Sequence, residues 1–347
     1  MPLQTPLQQA QTQLKKENLS VLSSGILVIS LDFELYWGMR DKMTINEYGR
    51  NILGAHNAVK AMLNVFSEYD IHATWATVGF LFFENSDGIK GYMPEILPDY
   101  ANTALSPYYG LDDIAKLNKD YLFAPRLIEL IMEQKGQEIG THTFSHYYCL
   151  EAGQSPEAFR EDISSAVRIA KSKGIRLRSL VFPRNQWDRV CLSVLNEMGI
   201  ACYRGNAGDW ANRAVTEEND GSVRRIVRLI DSYFNLSGHH TYGPHEYLGE
   251  KPFNIPASRF LRPYAKGLSF LDPLRLKRIT KAMEDAAMNR KVFHMWWHPH
   301  NFGINTDQNV VFLRNVLDYF CTLRKDYGMK SLNMGEVSDI LEALRIS

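Results

Sequence analysis

Short apolar stretches alternate along the chain with longer stretches in which apolar residues recur every three or four positions. The short stretches are rich in Val, Ile, Phe and Trp, a composition typical of buried β-strands. They predict strands over Ile26–Asp32, His72–Val78, Glu138–Thr141, Ser179–Pro183, Ala201–Arg204, Arg225–Tyr233, Val292–His298 and Lys330–Met334.

The longer stretches predict amphipathic helices between these strands. The predicted helices lie near Glu47–Tyr69, Pro125–Lys135, Ser155–Lys173, Asp188–Met198, Pro273–Asn289 and Gln308–Tyr327. Regular alternation of strand and helix favours a parallel sheet or barrel. Because about seven or eight such units fit into the chain, we predict a (β/α) barrel in preference to an open doubly wound sheet.

Three segments depart from the alternation. Residues 82–113 and 238–267 are rich in proline and aromatic residues, and both are predicted to be insertions into the barrel. Long loops of this kind often cover a site or form a wall of a substrate pocket. Residues 1–20 are polar and rich in glutamine, so we predict a flexible tail there, followed by a single barrel domain over 21–347.

Composition limits the expected partners and location. The formal net charge is +0 and there is no long basic run, so nucleic acid is not an expected partner. The sequence has neither a signal-peptide pattern nor an apolar run of about 18 residues, so no transmembrane segment is predicted. The four cysteines show no metal-binding spacing. We therefore expect free thiols and a cytoplasmic protein.

Polar residues follow several of the predicted strands. Asp32 and Glu34 end the first, His142 and His146 follow the third, and His298 ends the penultimate one. Because the carboxyl ends of parallel barrel strands meet at one face, we expect these side chains to lie close together. Two imidazoles and one carboxylate form a three-ligand site for a divalent metal with one position open. The pattern predicts a metal-assisted hydrolase, in which a second carboxylate takes a proton from the attacking water.

Several segments resemble motifs of the polysaccharide deacetylase family, also known as the NodB-homology domain or carbohydrate esterase family 4. Residues 29–34 (ISLDFE) resemble its first motif, and residues 141–146 (THTFSH) resemble its metal-binding H-S/T-x-x-H-type motif. Residues 73–79, 293–299 and 328–334 are similar to an intervening strand, the last motif and the final strand of the family. The resemblance implies an α/β fold of the deformed (β/α) barrel type with about seven strands. It also implies hydrolysis of an acetyl group on a sugar.

The resemblance assigns a role to each matching residue. Asp32 corresponds to the general base, Glu34, His142 and His146 to the metal ligands, and His298 to the general acid that protonates the leaving amine. Zn²⁺ is the expected metal, with Co²⁺ or Ni²⁺ as alternatives. The backbone N–H of Tyr147 is expected to help the metal stabilise the oxyanion.

The chain departs from the family pattern in its first and third motifs. Phe33 separates Asp32 from Glu34, where the family has two adjacent aspartates. Arg184 follows Pro183, whereas the family has its arginine before the proline, so either Arg184 or a different arginine is expected to orient Asp32. These departures indicate a divergent branch of the family, acting on a small or lipid-linked sugar rather than on a polymer.

Further candidates stand near the same strand ends. Asp209 and Asp231 are rival candidates for the residue that supports the catalytic histidine. The candidate substrate contacts are Trp37, Tyr147, Asn185, Arg204 and Trp296. The expected partner is a small-molecule or oligosaccharide substrate with an acetamido group, and self-association into a homo-oligomer is left open.

The sequence therefore favours a metal-dependent hydrolase that removes acetyl from an N-acetylated amino sugar, in the synthesis of a surface polysaccharide or glycoconjugate. Two alternatives stay open. The first is an allantoinase-like amidohydrolase acting on a non-sugar amide, which the presence of Phe33 in place of a second aspartate permits. The second is an inactive barrel that only binds a glycan, but a binder has no need of an acid and a base.

Overall fold

The computed structural model describes residues 23–114, 116–243, 246 and 248–345, so the predicted tail lies outside the described residues. Short strands form one sheet in this part of the chain. They are β1 (Ile26–Phe33), β2 (Ala73–Thr77), β3 (Gln137–Thr141), β4 (Ser179–Val181), β5 (Cys202–Arg204), β6 (Phe253–Asn254), β7 (Arg259–Phe260), β8 (Val292–Trp297) and β9 (Lys330–Leu332).

Helices connect most of these strands. They are α1 (Ile45–Tyr69), α2 (Ser86–Lys90), α3 (Leu111–Ile114), α4 (Pro125–Met132), α5 (Pro156–Ser172), α6 (Arg189–Glu197), α7 (Ser222–Asp231), α8 (Asp272–Asn289), α9 (Thr306–Tyr327) and α10 (Met334–Arg345). Each of the predicted helices is confirmed to within a few residues. None of the helices in the described part of the chain combines the length and apolar composition that a bilayer crossing requires.

The strands pair in parallel, in the order β6-β5-β4-β3-β2-β1-β8-β7. The amino-terminal half of β1 also pairs with β9, so β9 lies beside β1 at the end of the sheet away from the candidate site. All eight residues of β1 are buried, as expected for a strand enclosed by helices. The deformed (β/α) barrel predicted from the sequence is confirmed.

One extended segment spans the gap between β5 and β8. β6 pairs with β5, β7 pairs with β8, and only Ile255–Ser258 separates the two strands along the chain. Backbone bonds from Ile255 N–H to the Tyr203 carbonyl and from Ser258 N–H to the His294 carbonyl hold the segment on its two sides. Because β6 and β7 share one position, the barrel has about seven strand positions, as predicted.

The two predicted insertions differ in the structure. Residues 82–113 contain the short helices α2 and α3 together with irregular backbone, and Tyr100 from this stretch packs in a small buried cluster with Tyr148. Residues 238–267, in contrast, contain β6 and β7 and therefore supply part of the barrel itself. The strands are too short, and too interrupted by proline, for their sequence pattern to show them.

The predicted strand over Arg225–Tyr233 is wrong, because the chain forms helix α7 there. Val223, Ile226 and Ile230 recur at helical spacing and lie on its exposed side. Two of its charged side chains face inward instead, since Arg228 pairs with Asp220 and the helix ends at the buried Asp231. The helical period of the apolar residues outweighs their β-branched character here.

Helix α10 is tied to the start of β2 by an ion pair with pH-dependent strength. His72 Nδ1 lies 2.8 Å from Glu336 Oε1, and the hydrogen bond to Glu336 raises the pKa of His72 despite partial burial. A raised folded pKa stabilises the fold fully below the unfolded value of about 6.5, and the gain is lost as pH rises through the folded value. His72→Gln is therefore expected to lower the free energy of unfolding by about 0.5 kcal/mol at pH 5.5 and by less at pH 8.5. Urea unfolding at both pH values measures the difference; an equal loss at both would contradict it.

Candidate active site

The carboxyl ends of β1, β3, β5 and β8 bring the candidate residues together. Asp32 lies in β1 and Glu34 directly after it, while His142 and His146 lie in the loop after β3. His298 follows β8, and its Nε2 atom is 3.7 Å from both Asp32 Oδ2 and Glu34 Oε1. These side chains therefore lie close together in the structure, as the sequence predicts.

Glu34, His142 and His146 form a compact and buried donor set. Glu34 Oε2 lies 3.2 Å from His142 Nε2 and 3.1 Å from His146 Nε2, and the ligand atoms of the three residues all lie within 4.8 Å of one another. His142 Nδ1–H donates to the Val181 carbonyl at 2.8 Å, which leaves Nε2 facing the Glu34 carboxylate.

The electrostatics of this set fit a divalent cation. Burial lowers the pKa of His146 to about 4, although Glu34 opposes the shift, so the imidazole is neutral at neutral pH. Burial alone would raise the pKa of Glu34, but the nearby histidines outweigh burial and hold this pKa well below its usual range. His142 Nε2 lies 3.2 Å from Glu34 Oε2, and His146 Nδ1 has no hydrogen-bond partner among the described residues. A cation between these donors would be held by one carboxylate and two imidazoles.

Asp162 shapes the loop that carries both histidines. Its carboxylate accepts hydrogen bonds from the backbone N–H groups of Phe144 at 2.7 Å and Ser145 at 3.2 Å, and from the Ser145 hydroxyl. Thr143 and His146 adopt left-handed φ values of 65° and 62°, which cost energy for side chains with a Cβ atom. The buried carboxylate thus holds a strained loop in the conformation that converges the two imidazoles.

Replacing Asp162 by asparagine is expected to lower zinc affinity about 10- to 100-fold without altering a ligand, the range found for groups that orient metal ligands. The amide has a single acceptor oxygen and directs N–H bonds at the loop donors. Competition with a chelator of known affinity measures the change. Ser145→Ala, which removes only the hydroxyl bond, is the milder control, and unchanged affinity in Asp162→Asn would show that the loop holds its shape without Asp162.

Arg204, at the end of β5, holds Asp32 in a two-pronged ion pair. Its Nη1 and Nη2 atoms donate to Asp32 Oδ1 at 2.6 Å and Oδ2 at 2.8 Å. Nη2 also donates to Asn185 Oδ1 at 3.0 Å, and the guanidinium lies over the ring of Trp296, 4.1 Å from its centroid. Burial alone would raise the pKa of Asp32. Arg204 foremost, then His142 and His298, outweigh burial and bring the pKa below its usual value, so Asp32 is ionised at neutral pH.

A chain of hydrogen bonds holds Arg204 in place, and each member of the chain donates to the next. Arg204 Nη1 donates to Ser30 Oγ at 3.0 Å, and the Ser30 hydroxyl donates to His294 Nε2 at 2.8 Å. His294 Nδ1–H in turn donates to the Ile255 carbonyl at 3.1 Å. Burial, followed by Arg204, lowers the pKa of His294 to about 3, so the ring stays neutral beside the guanidinium. Ser30 lies two residues before Asp32 on β1, and His294 lies two residues before Trp296 on β8, so the alternation of side chains along a strand could have placed both on the face of the site.

Arg184, the first candidate for orienting Asp32, lies elsewhere. Its guanidinium pairs with Asp41 and stacks over the Tyr148 ring, 4.2 Å from the centroid. Tyr148 in turn contacts the His146 ring edge to face, with centroids 5.1 Å apart. The arginine that the structure places on Asp32 is Arg204, which the sequence had assigned to the substrate.

His298 lines a cavity and is held by few contacts. Its ring is stacked on His300, with centroids 5.0 Å apart and planes at 8°, and it meets the edge of Trp296. Neither rival aspartate is placed against it. Asp209 caps the short helix at Trp210–Asn212 and lies 3.4 Å from His240, whereas Asp231 pairs with Arg259.

The remaining sequence candidates divide between core and pocket. The indole of Trp37 is buried and donates to the Leu122 carbonyl at 2.7 Å. The Tyr147 hydroxyl donates to the Ser155 carbonyl, and its backbone N–H donates to Thr143 Oγ1 at 2.7 Å, so that N–H is already used within the loop. Asn185 and Trp296, in contrast, line a cavity of about 270 Å³ that also reaches His298.

Fold and site together define a parallel (β/α) barrel with a buried carboxylate–imidazole donor set and an ionised aspartate at its carboxyl-terminal face. The family model for polysaccharide deacetylases matches residues 52–203. The resemblance of the chain to the polysaccharide deacetylase family is thereby confirmed.

Solved structures agree on the fold. A putative polysaccharide deacetylase from Mycobacterium smegmatis is 11% identical with a TM-score of 0.58, over 94% of this chain and 93% of that one. A probable polysaccharide deacetylase from Pseudomonas aeruginosa PAO1 is 11% identical with a TM-score of 0.53, over 92% and 91%. Puue allantoinase is 12% identical with a TM-score of 0.53, over 92% and 91%. No match was found among curated protein sequences.

Proposed function

We propose that the protein is a metal-dependent hydrolase that removes an acetyl group from an N-acetylated amino sugar. The observation that carries the proposal is the placement of an ionised Asp32 3.7 Å from His298, directly beside the Glu34, His142 and His146 donor set. A base and an acid on either side of a metal centre are what hydrolysis of an amide requires. The family match adds deacetylation as the reaction type.

Glu34, His142 and His146 are the residues proposed to hold the metal, with Zn²⁺ favoured because one carboxylate and two imidazoles suit it. When bound, such an ion polarises the acetyl carbonyl and lowers the pKa of water. Glu34 is well suited to this position because its pKa lies far below the usual range, so the ligand carries its negative charge at neutral pH.

Asp32 is proposed to take the proton of the attacking water. Arg204 uses one lone pair on each carboxylate oxygen, so each oxygen keeps another for this purpose. The rigid contact of Arg204 with Trp296 and Asn185 fixes the direction in which Asp32 can accept the proton. A base held in place loses little energy to reorganisation when the reaction begins.

His298 is proposed to donate a proton from Nε2 to the leaving amine. It lines the cavity, and its side chain is 24% exposed, whereas the other four residues of the centre are nearly enclosed. The cavity volume suits one or two sugar rings rather than a long enclosed chain. We further propose that the enzyme works in the cytoplasm, in surface polysaccharide or glycoconjugate synthesis, on the basis of the sequence.

The test is acetate release by the zinc-loaded protein from N-acetylglucosamine, its 1-phosphate and short chito-oligosaccharides, with allantoin as a further substrate. Asp32→Asn keeps the shape of the side chain and removes the base, so acetate release is expected to fall about 10³-fold. Turnover of allantoin without acetate release from any sugar would favour the amidohydrolase alternative. Metal binding with no turnover at all would favour the binding protein.

A further inference from the structure

The cavity beside His298 is lined by an unusual number of charged side chains. Arg228, Arg259 and Arg262 reach it, and so do Asp209 and Asp231. These residues come from α7 and from the loop and strand segments that follow β5, not from the strands that carry the metal ligands. The charged side chains that line the cavity are therefore expected to affect which sugar binds, rather than the reaction at the acetyl group.

All but one of these charged groups have a partner. Arg228 donates to both oxygens of Asp220, at 2.8 Å and 2.7 Å. Arg259 pairs with Asp231 at 2.5 Å, and Asp209 accepts backbone N–H bonds from Ala211 and Asn212.

Arg262 is the exception. Within the described residues its guanidinium has neither a hydrogen bond nor a carboxylate within ion-pair distance, and it lies 5.9 Å from the centroid of the Phe260 ring. It is half-buried. Burial lowers the pKa of Arg262, Tyr233 opposes this, and the charges of Arg228 and Arg275 lower it further.

A half-buried guanidinium close to other arginines is unfavourable unless an anion joins it. An arginine remains charged under all ordinary conditions, so it cannot relieve the repulsion by losing its proton. Its planar array of N–H donors matches a carboxylate or a phosphate group, each of which accepts two parallel hydrogen bonds. The cavity thus holds a positive charge that the described part of the protein leaves for a ligand to neutralise.

We propose that Arg262 binds a carboxylate or phosphate group of the substrate, which makes the substrate an anionic N-acetylated sugar; this inference rests on the proposed function. Arg262 and His298 line the same cavity of about 270 Å³, large enough for a sugar that carries one such group. The anionic group anchors the sugar at Arg262 while its acetamido group lies at Asp32 and His298.

The test is a binding measurement that needs no turnover. Isothermal titration calorimetry of the zinc-loaded protein compares N-acetylglucosamine 1-phosphate, N-acetylmuramic acid and neutral N-acetylglucosamine. At least one anionic probe is expected to bind about 10-fold or more tightly than the neutral sugar, and the phosphate and carboxylate probes identify which group is recognised. Arg262→Gln is expected to reduce this preference to within about twofold, and Arg262→Lys to keep part of it.

Arg225→Gln is the matched control, because Arg225 is an exposed arginine of α7 that does not line the cavity. It is expected to keep the full preference. Since Arg262 has no ion-pair partner in the described part of the chain, Arg262→Gln is also expected to keep its melting temperature, whereas loss of a structural arginine would lower it. Equal binding of charged and neutral probes, no binding of any probe, or a preference that survives in Arg262→Gln would overturn the proposal. A preference for anions in a protein that releases no acetate would refute the proposed function but leave the anion site standing.

Discussion

Alanine substitution of both His142 and His146 is expected to reduce bound metal from near one equivalent to less than about 0.1 equivalent per chain. Only Glu34 remains of the donor set, and a single carboxylate cannot hold a transition metal against water. Acetate release is expected to disappear with the metal. Inductively coupled plasma mass spectrometry of the purified proteins, after incubation with zinc and removal of excess, measures the stoichiometry.

Two further variants sharpen this measurement. His56→Ala changes a partly exposed histidine whose Nε2 atom contacts the Asp120 carbonyl, and it is expected to keep the full metal content. His146→Ala alone is expected to retain metal weakly, so chelator competition distinguishes it from the double variant. Absence of metal in the wild type after incubation with zinc, cobalt and nickel would remove the basis of the metal mechanism.

Replacing Arg204 by methionine is expected to damage both stability and activity. It leaves the buried Asp32 carboxylate without its main partner, and removing one member of a buried pair costs about 3–5 kcal/mol. Acetate release is expected to fall about 10²- to 10⁴-fold, because burial then raises the pKa of Asp32 and the base loses its orientation. Arg204→Lys keeps the charge but only part of the bonding, so an intermediate loss is expected.

The pH dependence of this loss has a definite sign. The folded pKa of Asp32 lies below its usual value, so the pair contributes its full stability above about pH 4 and loses it as pH falls through the folded value. The difference in free energy of unfolding between wild type and Arg204→Met is therefore expected to be larger at pH 7 than at pH 3. Urea unfolding of both proteins at each pH measures it. Arg184→Met, on the neighbouring strand end, is the matched control. A greater loss of activity in Arg184→Met than in Arg204→Met would return the orienting role to Arg184.

The close approach of the three candidate metal ligands could be predicted, because it depends only on where they stand relative to the barrel strands. Glu34, His142 and His146 each stand just beyond the end of a parallel strand, and those ends share one face. The choice between Arg184 and Arg204 could not be made in this way, because both stand near the ends of neighbouring strands. It is decided by the backbone at Arg184, whose left-handed φ of 54° directs the side chain to Asp41.

The parts of the fold that escaped prediction depend on long-range contacts. β6 and β7 contain two residues each, and their pairing partners in β5 and β8 are distant in sequence. Helix α7 was mistaken for a strand because several of its Val and Ile residues are exposed, against the usual expectation, while Arg224 and Arg228 face inward to the backbone of Ala211 and, for Arg228, to Asp220. The position of Asp162 on α5, under the histidine loop, follows from packing alone.

The residues proposed for chemistry and the residues that line the cavity come from different parts of the chain. The former stand at the carboxyl ends of β1, β3, β5 and β8, whereas most of the latter belong to 206–262, the stretch that runs from the end of β5 through the segment with β6 and β7. Insertions or substitutions in that stretch can change the shape of the pocket, while the residues proposed to act in hydrolysis keep their positions on the rest of the barrel. A single scaffold can in this way acquire new ligand specificities by exchanging one contiguous piece of its chain.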